Sequence, residues 1–212
     1  MPAERDPRLD RLLVLVDGVF AIALTLLSFA LRLPDSAAHA EGQTLLAALI
    51  GTWPAVLSFL TSFAFIALFW QANHQIFQRV RGFDGRLLWL VLALLAAVAF
   101  LPYPTAVVGQ HVTDSVAWYF YYLSLLLASS LNAGIWWYAV RAGLLMPGVS
   151  PQVVRHYNRL RLGAPVACLL ILLLTRLGIG RVINPILLGY AAVLVYVAVA
   201  LCGKTEPRSS AR

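Results

Sequence analysis

The sequence predicts an all-α integral membrane protein, and three observations carry that prediction. Of its 212 residues, 61% are hydrophobic and only 12% are charged, whereas a water-soluble domain usually has about a quarter charged residues. The apolar residues form runs of about 20, the length that a helix needs to cross a bilayer. These runs lack the period-two alternation of a membrane β-barrel, so helices are predicted. A soluble enzyme domain, a disordered tail and a nucleic-acid module are excluded.

Six membrane-spanning helices are predicted, each closed by charged residues or by Pro and Gly. They are Leu12–Leu33, Thr52–Gln78, Leu87–Gly109, Ser115–Val140, Leu162–Leu177 and Val182–Cys202. The fifth span is the shortest, and an amphipathic segment from Gln152 offers an earlier start for it. Residues 1–203 are therefore predicted to form one six-helix membrane domain, followed by a short basic cytoplasmic tail, residues 204–212.

The first span also has features of a signal peptide. Arg5, Arg8 and Arg11 precede its apolar run, and the segment 38–40 (Ala-His-Ala) resembles a cleavage site. However, the run of about 20 residues exceeds the 7–15 apolar residues of a signal peptide, and it contains Asp17. A retained membrane helix is favoured.

Basic residues are distributed asymmetrically over the predicted connections. Both termini, the second-to-third connection and the fourth-to-fifth connection share 13 of the 16 lysines and arginines, and the opposite side has Arg32, Arg176 and Arg181. Lysine and arginine concentrate on the cytoplasmic side of membrane proteins. The net charge of +7 is therefore interpreted as a signal of orientation, and no nucleic-acid partner is predicted. Both termini are expected in the cytoplasm of a multi-pass protein of the cell inner membrane.

Ionisable residues inside a membrane are functional candidates because they are costly to place there. Asp17 on the first helix and His74 on the second are predicted at a similar depth in the cytoplasmic half of the bilayer. With Asn73 and Arg11, they are predicted to form one hydrogen-bonded cluster. Such a cluster is typical of a structural link between two helices, and a proton relay is the alternative.

One face of the first helix carries an apolar or small stripe with one hydroxyl and a basic residue at its cytoplasmic end. At about 100° per residue, six residues fall within roughly 40° of one line. They are Arg11, Leu15, Gly18, Ile22, Thr25 and Phe29. Asp17 points about 120° away from this line. Periodicity alone favours an ordinary packing seam.

Motifs for ATP-driven, metal-dependent or redox chemistry are not found in the sequence. It has no GxxxxGK[ST] phosphate loop, no HExxH zinc motif and no CxxC pair, which are the signatures of such chemistry. No enzyme activity, cofactor or bound metal is predicted. A Thr-Val-Gly-Tyr-Gly potassium filter is missing as well, so a pore would lack the ring of carbonyl oxygens of that filter.

Three segments resemble motifs of the transmembrane protein 175 family of potassium channels, in its bacterial branch. Residues 11–27 read RLLVLVDGVFAIALTLL, similar to the family's Arg-x-x-x-Phe-Ser-Asp followed by Gly-Val-Phe-Ala-Ile-Ala-x-Thr-Leu. Residues 69–74 (FWQANH) resemble its Trp-and-His stretch, and residues 101–105 (LPYPT) resemble its Leu-Pro-Phe-Pro-Thr. The motifs cover about the first half of the chain.

The resemblance implies a homotetramer in which each subunit is a six-helix bundle and contributes its first helix to a central pore. It implies a constriction of hydrophobic side chains, without a carbonyl filter. The family's pore isoleucine corresponds to Ile22, its hydroxyl layer to Thr25, and the next layer to Leu26 or Phe29. The stripe on the first helix is the same face, which favours a pore lining over a packing seam.

The chain departs from the family motifs at two places. Leu15 and Val16 replace the family's Phe-Ser before the aspartate, which removes a hydroxyl from the polar cluster. Asn73 and His74 stand where a pair of histidines is usual. Both changes affect the cluster and leave the stripe intact.

The function predicted from these residues is passive, potassium-favouring cation conduction, with the potassium ion as the permeant species and the lipid bilayer as the surroundings. Two alternatives belong to other classes. A proton-coupled carrier using Asp17 and His74 would show saturable transport driven by pH, and a membrane scaffold would show no conductance.

The distribution of basic residues leads to a first testable prediction about topology. A reporter fused after Arg212 should be active only when it is of the cytoplasmic type, because positive residues are retained on that side. A reporter inserted at residues 35–41 should be active only when it is of the periplasmic type. A periplasmic C-terminus would contradict the six-helix arrangement.

Overall fold

The computed structural model describes residues 6–31 and 45–176, and its regular elements in these ranges are helices. They are α1 (Pro7–Leu26), a 3₁₀ turn (Leu27–Ala30), α2 (Leu45–Gly51), α3 (Trp53–Phe77), α4 (Gly85–Phe100), α5 (Pro102–Gln110), α6 (Ser115–Arg141) and α7 (Pro151–Arg176). The predicted all-α class is confirmed for this part of the chain.

Five segments of the described chain are long and apolar enough to cross a membrane. They are Pro7–Phe29, Trp53–Phe77, Gly85–Gln110, Ser115–Arg141 and Pro151–Arg176. The first five predicted spans correspond to them, and the sixth, Val182–Cys202, lies outside the described residues. The fifth helix begins at Pro151, so the earlier start near Gln152 is correct and the short span from Leu162 is not. The short helix α2 was not predicted.

Aspartates at the N-caps define where three of the helices begin. Asp6 accepts a hydrogen bond from the Arg8 main-chain N–H (2.9 Å), Asp84 from that of Leu87 (2.8 Å), and Asp114 from that of Val116 (2.8 Å). Each bond satisfies a main-chain donor that has no partner within its own helix. The Tyr138 hydroxyl also donates to Asp84 and holds the pKa of that carboxyl below its ordinary value.

The third predicted span is interrupted where α4 meets α5. Pro102 and Pro104 have no main-chain N–H, and the chain tightens there, with the Leu101 N–H bonding the Val98 carbonyl at 3.1 Å. A buried group of hydroxyls lies beside the interruption. The Thr105 hydroxyl donates to the Ser62 oxygen (2.8 Å), which lies 2.9 Å from the Tyr121 hydroxyl. These contacts join α3, α5 and α6 next to the break between α4 and α5.

Three segments meet at one end of the bundle. The Asp6 N–H donates to the Arg81 carbonyl (3.0 Å), the Arg81 N–H to the Leu144 carbonyl (2.9 Å), and the Met146 N–H to the Arg79 carbonyl (2.8 Å). The start of α1, the α3–α4 connection and the α6–α7 connection therefore lie on one side. These are three of the regions that the charge distribution assigns to the same side.

The core of the bundle lies around α6, the most buried of the five spans. One face of α1 packs into this core through Leu9, Leu12, Val16, Phe20 and Ala23, all buried. Their spacing of three and four residues is that of one helix face. The packing of this face leaves the opposite side of α1 uncovered by the described chain.

Candidate pore helix and its polar contacts

The stripe predicted on α1 lies on the surface of the described chain. Its members and the neighbouring Leu26 are all exposed: Arg11, Leu15, Gly18, Ile22, Thr25, Leu26 and Phe29. Ile22 is 59% exposed and Phe29 69% exposed. Large apolar side chains in a continuous uncovered stripe mark a surface for lipid or for another protein. Helix α1 therefore has two apolar faces, of which the rest of the described chain covers one.

The Thr25 hydroxyl donates to the main-chain carbonyl of Ile22 at 2.8 Å. A hydroxyl that donates its single hydrogen still has two lone pairs. The bond to Ile22 therefore leaves the Thr25 oxygen able to coordinate a cation.

Helix α1 tightens into a 3₁₀ turn directly after Leu26, although the sequence predicted a continuous helix to Leu33. In a 3₁₀ geometry, side chains three residues apart lie one above the other. Phe29 therefore lies nearly in line with Leu26 along the helix axis. Leu26 and Phe29 are the predicted alternatives for the layer beyond Thr25, and the turn brings both onto one line along the helix.

Asp17 is hydrogen-bonded to a tryptophan of α3. The Trp70 indole Nε1–H donates to the Asp17 Oδ1 at 2.8 Å, and the Trp70 ring stacks on the His74 imidazole with centroids 5.4 Å apart. His74 Nε2 lies 3.0 Å from the Gln78 side-chain nitrogen. We call the Asp17–Trp70 hydrogen bond the latch, because it joins α1 to α3.

The other predicted members of the polar cluster lie apart from the latch. Arg11 is exposed, and Asn73 is 1% exposed with no hydrogen-bond partner for its amide group within the described residues. In that part of the chain, Asp17 bonds neither of them, and Trp70 separates it from His74. The predicted direct cluster is thus replaced by a tryptophan-mediated contact of the Asp17 carboxylate with His74.

Two residues at this site were not assigned their roles from the sequence. Trp70 was noted only within a motif, although an indole N–H beside an intramembrane carboxylate is a natural donor. Arg161 of α7 was counted among the cytoplasmic charges, but it is 5% exposed. Its position in the amphipathic start of α7 gave a signal of partial burial, because such a helix turns one face inwards.

The five long apolar helices define an integral membrane protein, and comparisons with known proteins give its family. The family described as endosomal/lysosomal potassium channel TMEM175 matches residues 11–102. A potassium channel of Streptomyces collinus is 34% identical over 145 residues, which are 66% of this chain and 68% of that protein. A potassium channel of Chamaesiphon minutus is 37% identical over 121 residues, 56% of this chain and 54% of that protein. The chain belongs to the TMEM175 family, a family of channels and not of enzymes.

Solved structures support the same assignment. The crystal structure of a lysosomal potassium-selective channel TMEM175 homolog from Chamaesiphon minutus superposes with a TM-score of 0.78 at 25% identity, and the match covers 94% of this chain and all of that chain. A variant of the potassium channel MtTMEM175 matches with a TM-score of 0.62 at 16% identity, over 95% of this chain and 93% of that one. The second likeness concerns the fold alone.

The latch leads to a second testable prediction. Asp17→Ala should impair folding or assembly, because it leaves the Trp70 indole N–H without its acceptor. We expect the free energy of unfolding to fall by about 1 kcal/mol. This is the lower end of the range for a buried donor left without an acceptor, because the Trp70 ring is partly exposed. The measurements are the thermal unfolding midpoint and the size of the detergent-solubilised particle.

Trp70→Phe removes the donor of the same bond, so it should lower the unfolding midpoint as Asp17→Ala does. Trp89→Phe is the matched control, since Trp89 is 73% exposed. The double variant of Asp17 and Trp70 should lose little more than either single variant, because both remove one interaction. An Asp17→Ala protein that unfolds and assembles as the wild type does would contradict a structural role for the latch.

Proposed function

We propose that the protein is a passive, potassium-favouring cation channel, formed by four identical subunits whose α1 helices surround a central pore. The single observation that carries this proposal is the uncovered stripe on α1 of a chain that belongs to a potassium-channel family. The covered face anchors α1 to its own subunit, and the free face is available to line an axis shared with other copies. Because the relatives are named as potassium channels, potassium is the proposed permeant ion.

Gly18 supports a close approach of something outside the subunit. A Cβ atom built on Gly18 would meet no atom within 4 Å, so the described subunit itself gives no packing reason for a glycine in this helix. Glycine within a helix costs about 1 kcal/mol relative to alanine. A neighbouring α1 helix approaching along the stripe would use the space that the missing side chain leaves, as small residues do in membrane helix pairs.

The proposed constriction consists of an apolar ring followed by a hydroxyl ring. Four Ile22 side chains would form a ring that disfavours a hydrated ion and can gate by dewetting. Thr25 lies about 4.5 Å further along the axis, so one ion can interact with both layers. Four Thr25 oxygens can replace lost water ligands through their lone pairs, and Leu26 with Phe29 would narrow the pore beyond them. Potassium loses its hydration shell more easily than sodium, which favours potassium.

The proposed placement in the cell follows from the charge distribution. Residues 1–203 would form the six-helix channel domain and residues 204–212 its cytoplasmic tail, in a multi-pass protein of the cell inner membrane. The cytoplasmic side is the one that holds the start of α1 and the α3–α4 and α6–α7 connections, because these carry most of the arginines.

The geometry at Asp17 disfavours the proton-coupled carrier. Proton transfer between Asp17 and His74 requires a hydrogen bond or a water between them, and the Trp70 indole is interposed instead. The indole N–H is a hydrogen-bond donor only, so Trp70 cannot accept a proton and pass it on. In a membrane scaffold, the uncovered stripe would face lipid and no ions would cross. Ion-flux measurements on the reconstituted protein distinguish a scaffold from a channel.

The third testable prediction concerns Thr25. Thr25→Ala should lower the preference for potassium over sodium while conduction persists, because the hydroxyl ring is lost and the apolar ring remains. Reversal potentials of the reconstituted protein under potassium and sodium gradients measure this preference. Thr175→Ala is the matched control: the Thr175 hydroxyl also bonds back to its own helix, at the Ile171 carbonyl (2.7 Å), but it lies on α7. Unchanged selectivity in Thr25→Ala would deprive the hydroxyl ring of its role.

The fourth testable prediction concerns Ile22. Ile22→Ala should increase the leak of cations through reconstituted vesicles, because a wider apolar ring dewets less readily. Val14→Ala shortens an α1 side chain that is 73% exposed and lies off the stripe, and its flux should equal that of the wild type. Equal increases in both variants would show that the effect comes from loosening α1 and not from the ring.

A further inference from the structure

A buried arginine of α7 binds the main chain of α3. One terminal nitrogen of the Arg161 guanidinium donates to the Ala72 carbonyl at 2.8 Å and lies 3.4 Å from the Gln75 side-chain oxygen. The guanidinium carbon also lies 5.5 Å from the centre of the Tyr157 ring. With Arg161 only 5% exposed, these contacts form in the interior of the subunit, where hydrogen bonds of charged groups are strongest.

A buried asparagine of α6 binds the same stretch of α3. The Asn132 amide nitrogen donates to the Phe69 carbonyl at 3.1 Å, and Asn132 is 3% exposed. Arg161 and Asn132 line a common small cavity, together with Ser129 and Ala133 of α6. Helices α6 and α7 thus each donate one side-chain hydrogen bond to a main-chain oxygen of residues 69–72.

The latch tryptophan lies within this stretch, on the other side of α3. Phe69 and Ala72 are 4% and 5% exposed, whereas Trp70 is 39% exposed and reaches Asp17 of α1. Residues 70 and 72 differ by about 200° around a helix axis and by about 3 Å along it. One short stretch of α3 is therefore held by α6 and α7 on its buried side and holds α1 on its exposed side.

We propose that Arg161 and Asn132 are positioning residues for the pore helix, which act through the main chain of residues 69–72 to set where Trp70 meets Asp17. A bond to a main-chain carbonyl fixes the helix itself, because the carbonyl cannot change rotamer as a side-chain acceptor can. A shift of α7 or α6 is transmitted to α3, and from α3 through the latch to α1. The effect on conduction rests on the proposed channel function, but the effect on the latch does not.

The test reports on the latch directly. The protein is labelled with 5-fluorotryptophan, and its fluorine NMR spectrum is recorded in lipid nanodiscs. The Trp70 resonance, one of six, is assigned by its loss in Trp70→Phe, and Asp17→Ala gives its position when the latch is broken. Arg161→Met, which keeps an unbranched stem but has no donors, should move the Trp70 resonance towards that position. Arg161→Lys keeps one donor and should move it less.

Arg159→Met is the matched control, because it removes the same charge from an exposed position on the same helix. Its Trp70 resonance should stay where the wild type has it. An unmoved resonance in folded Arg161→Met, or an equal movement in Arg159→Met, overturns the proposal. If neither Arg161 variant folds, Asn132→Leu decides. A moved Trp70 resonance in Asn132→Leu supports the positioning role. An unmoved resonance would mean that Arg161 and Asn132 contribute only to folding, and it overturns the proposal.

Channel recordings then separate this proposal from the proposed function. Arg161→Met should change the open probability, because it alters the latch that sets the position of α1. In the Trp70→Phe background, Arg161→Met should change the open probability no further, since the latch it acts through is already lost. A moved Trp70 resonance in a protein without conductance would contradict the channel function while supporting the positioning role. Additive effects on the open probability would contradict transmission through the latch.

Discussion

The hydrogen bond between Trp70 and Asp17 is the interaction on which the arrangement of α1 depends. Helix α1 is apolar on nearly all sides, and in a membrane the hydrophobic effect does not drive apolar helices together, so packing and interhelical hydrogen bonds decide how they associate. Asp17 lies at the border between the covered and the uncovered face, and its bond of 2.8 Å to the Trp70 indole gives α1 one polar reference point. The buried face then packs into the core, and the opposite face is left free.

Two further sets of contacts hold the helices that the Asp17–Trp70 hydrogen bond joins. The main chain before α1 is tied to the α3–α4 connection, which is tied in turn to the α6–α7 connection. Further along α3, Asn132 and Arg161 bind the main chain on either side of Trp70. Helix α3 therefore receives contacts from α1, α6 and α7 within a few residues. A displacement of α6 or α7 thus has a direct route to α1 through α3.

The sequence was most informative where one helix decides the outcome by itself. The stripe on α1 follows from the spacing of residues 11–29, and the structure leaves that stripe uncovered. Features that depend on the packing of several helices were not predictable. Trp70 is the partner of Asp17 in place of His74, and Arg161 is buried although the predicted fifth span began only after it. Pro102 marks a point where the third span can break, but how the chain packs at that break depends on the hydroxyls of α3 and α6 that lie beside it.

The latch and the proposed constriction are coupled by the geometry of a single helix. Ile22 and Thr25 are three residues apart, so they differ by about 60° in direction around the axis of α1. A small rotation of α1 would therefore turn the apolar Ile22 towards the pore axis while turning the Thr25 hydroxyl away, or the reverse. The apolar ring opposes hydrated ions and the hydroxyl ring accommodates partly dehydrated ones, so the rotation that the latch sets also sets the balance between closure and conduction. In the proposed pore, gating and ion preference are consequences of one angle.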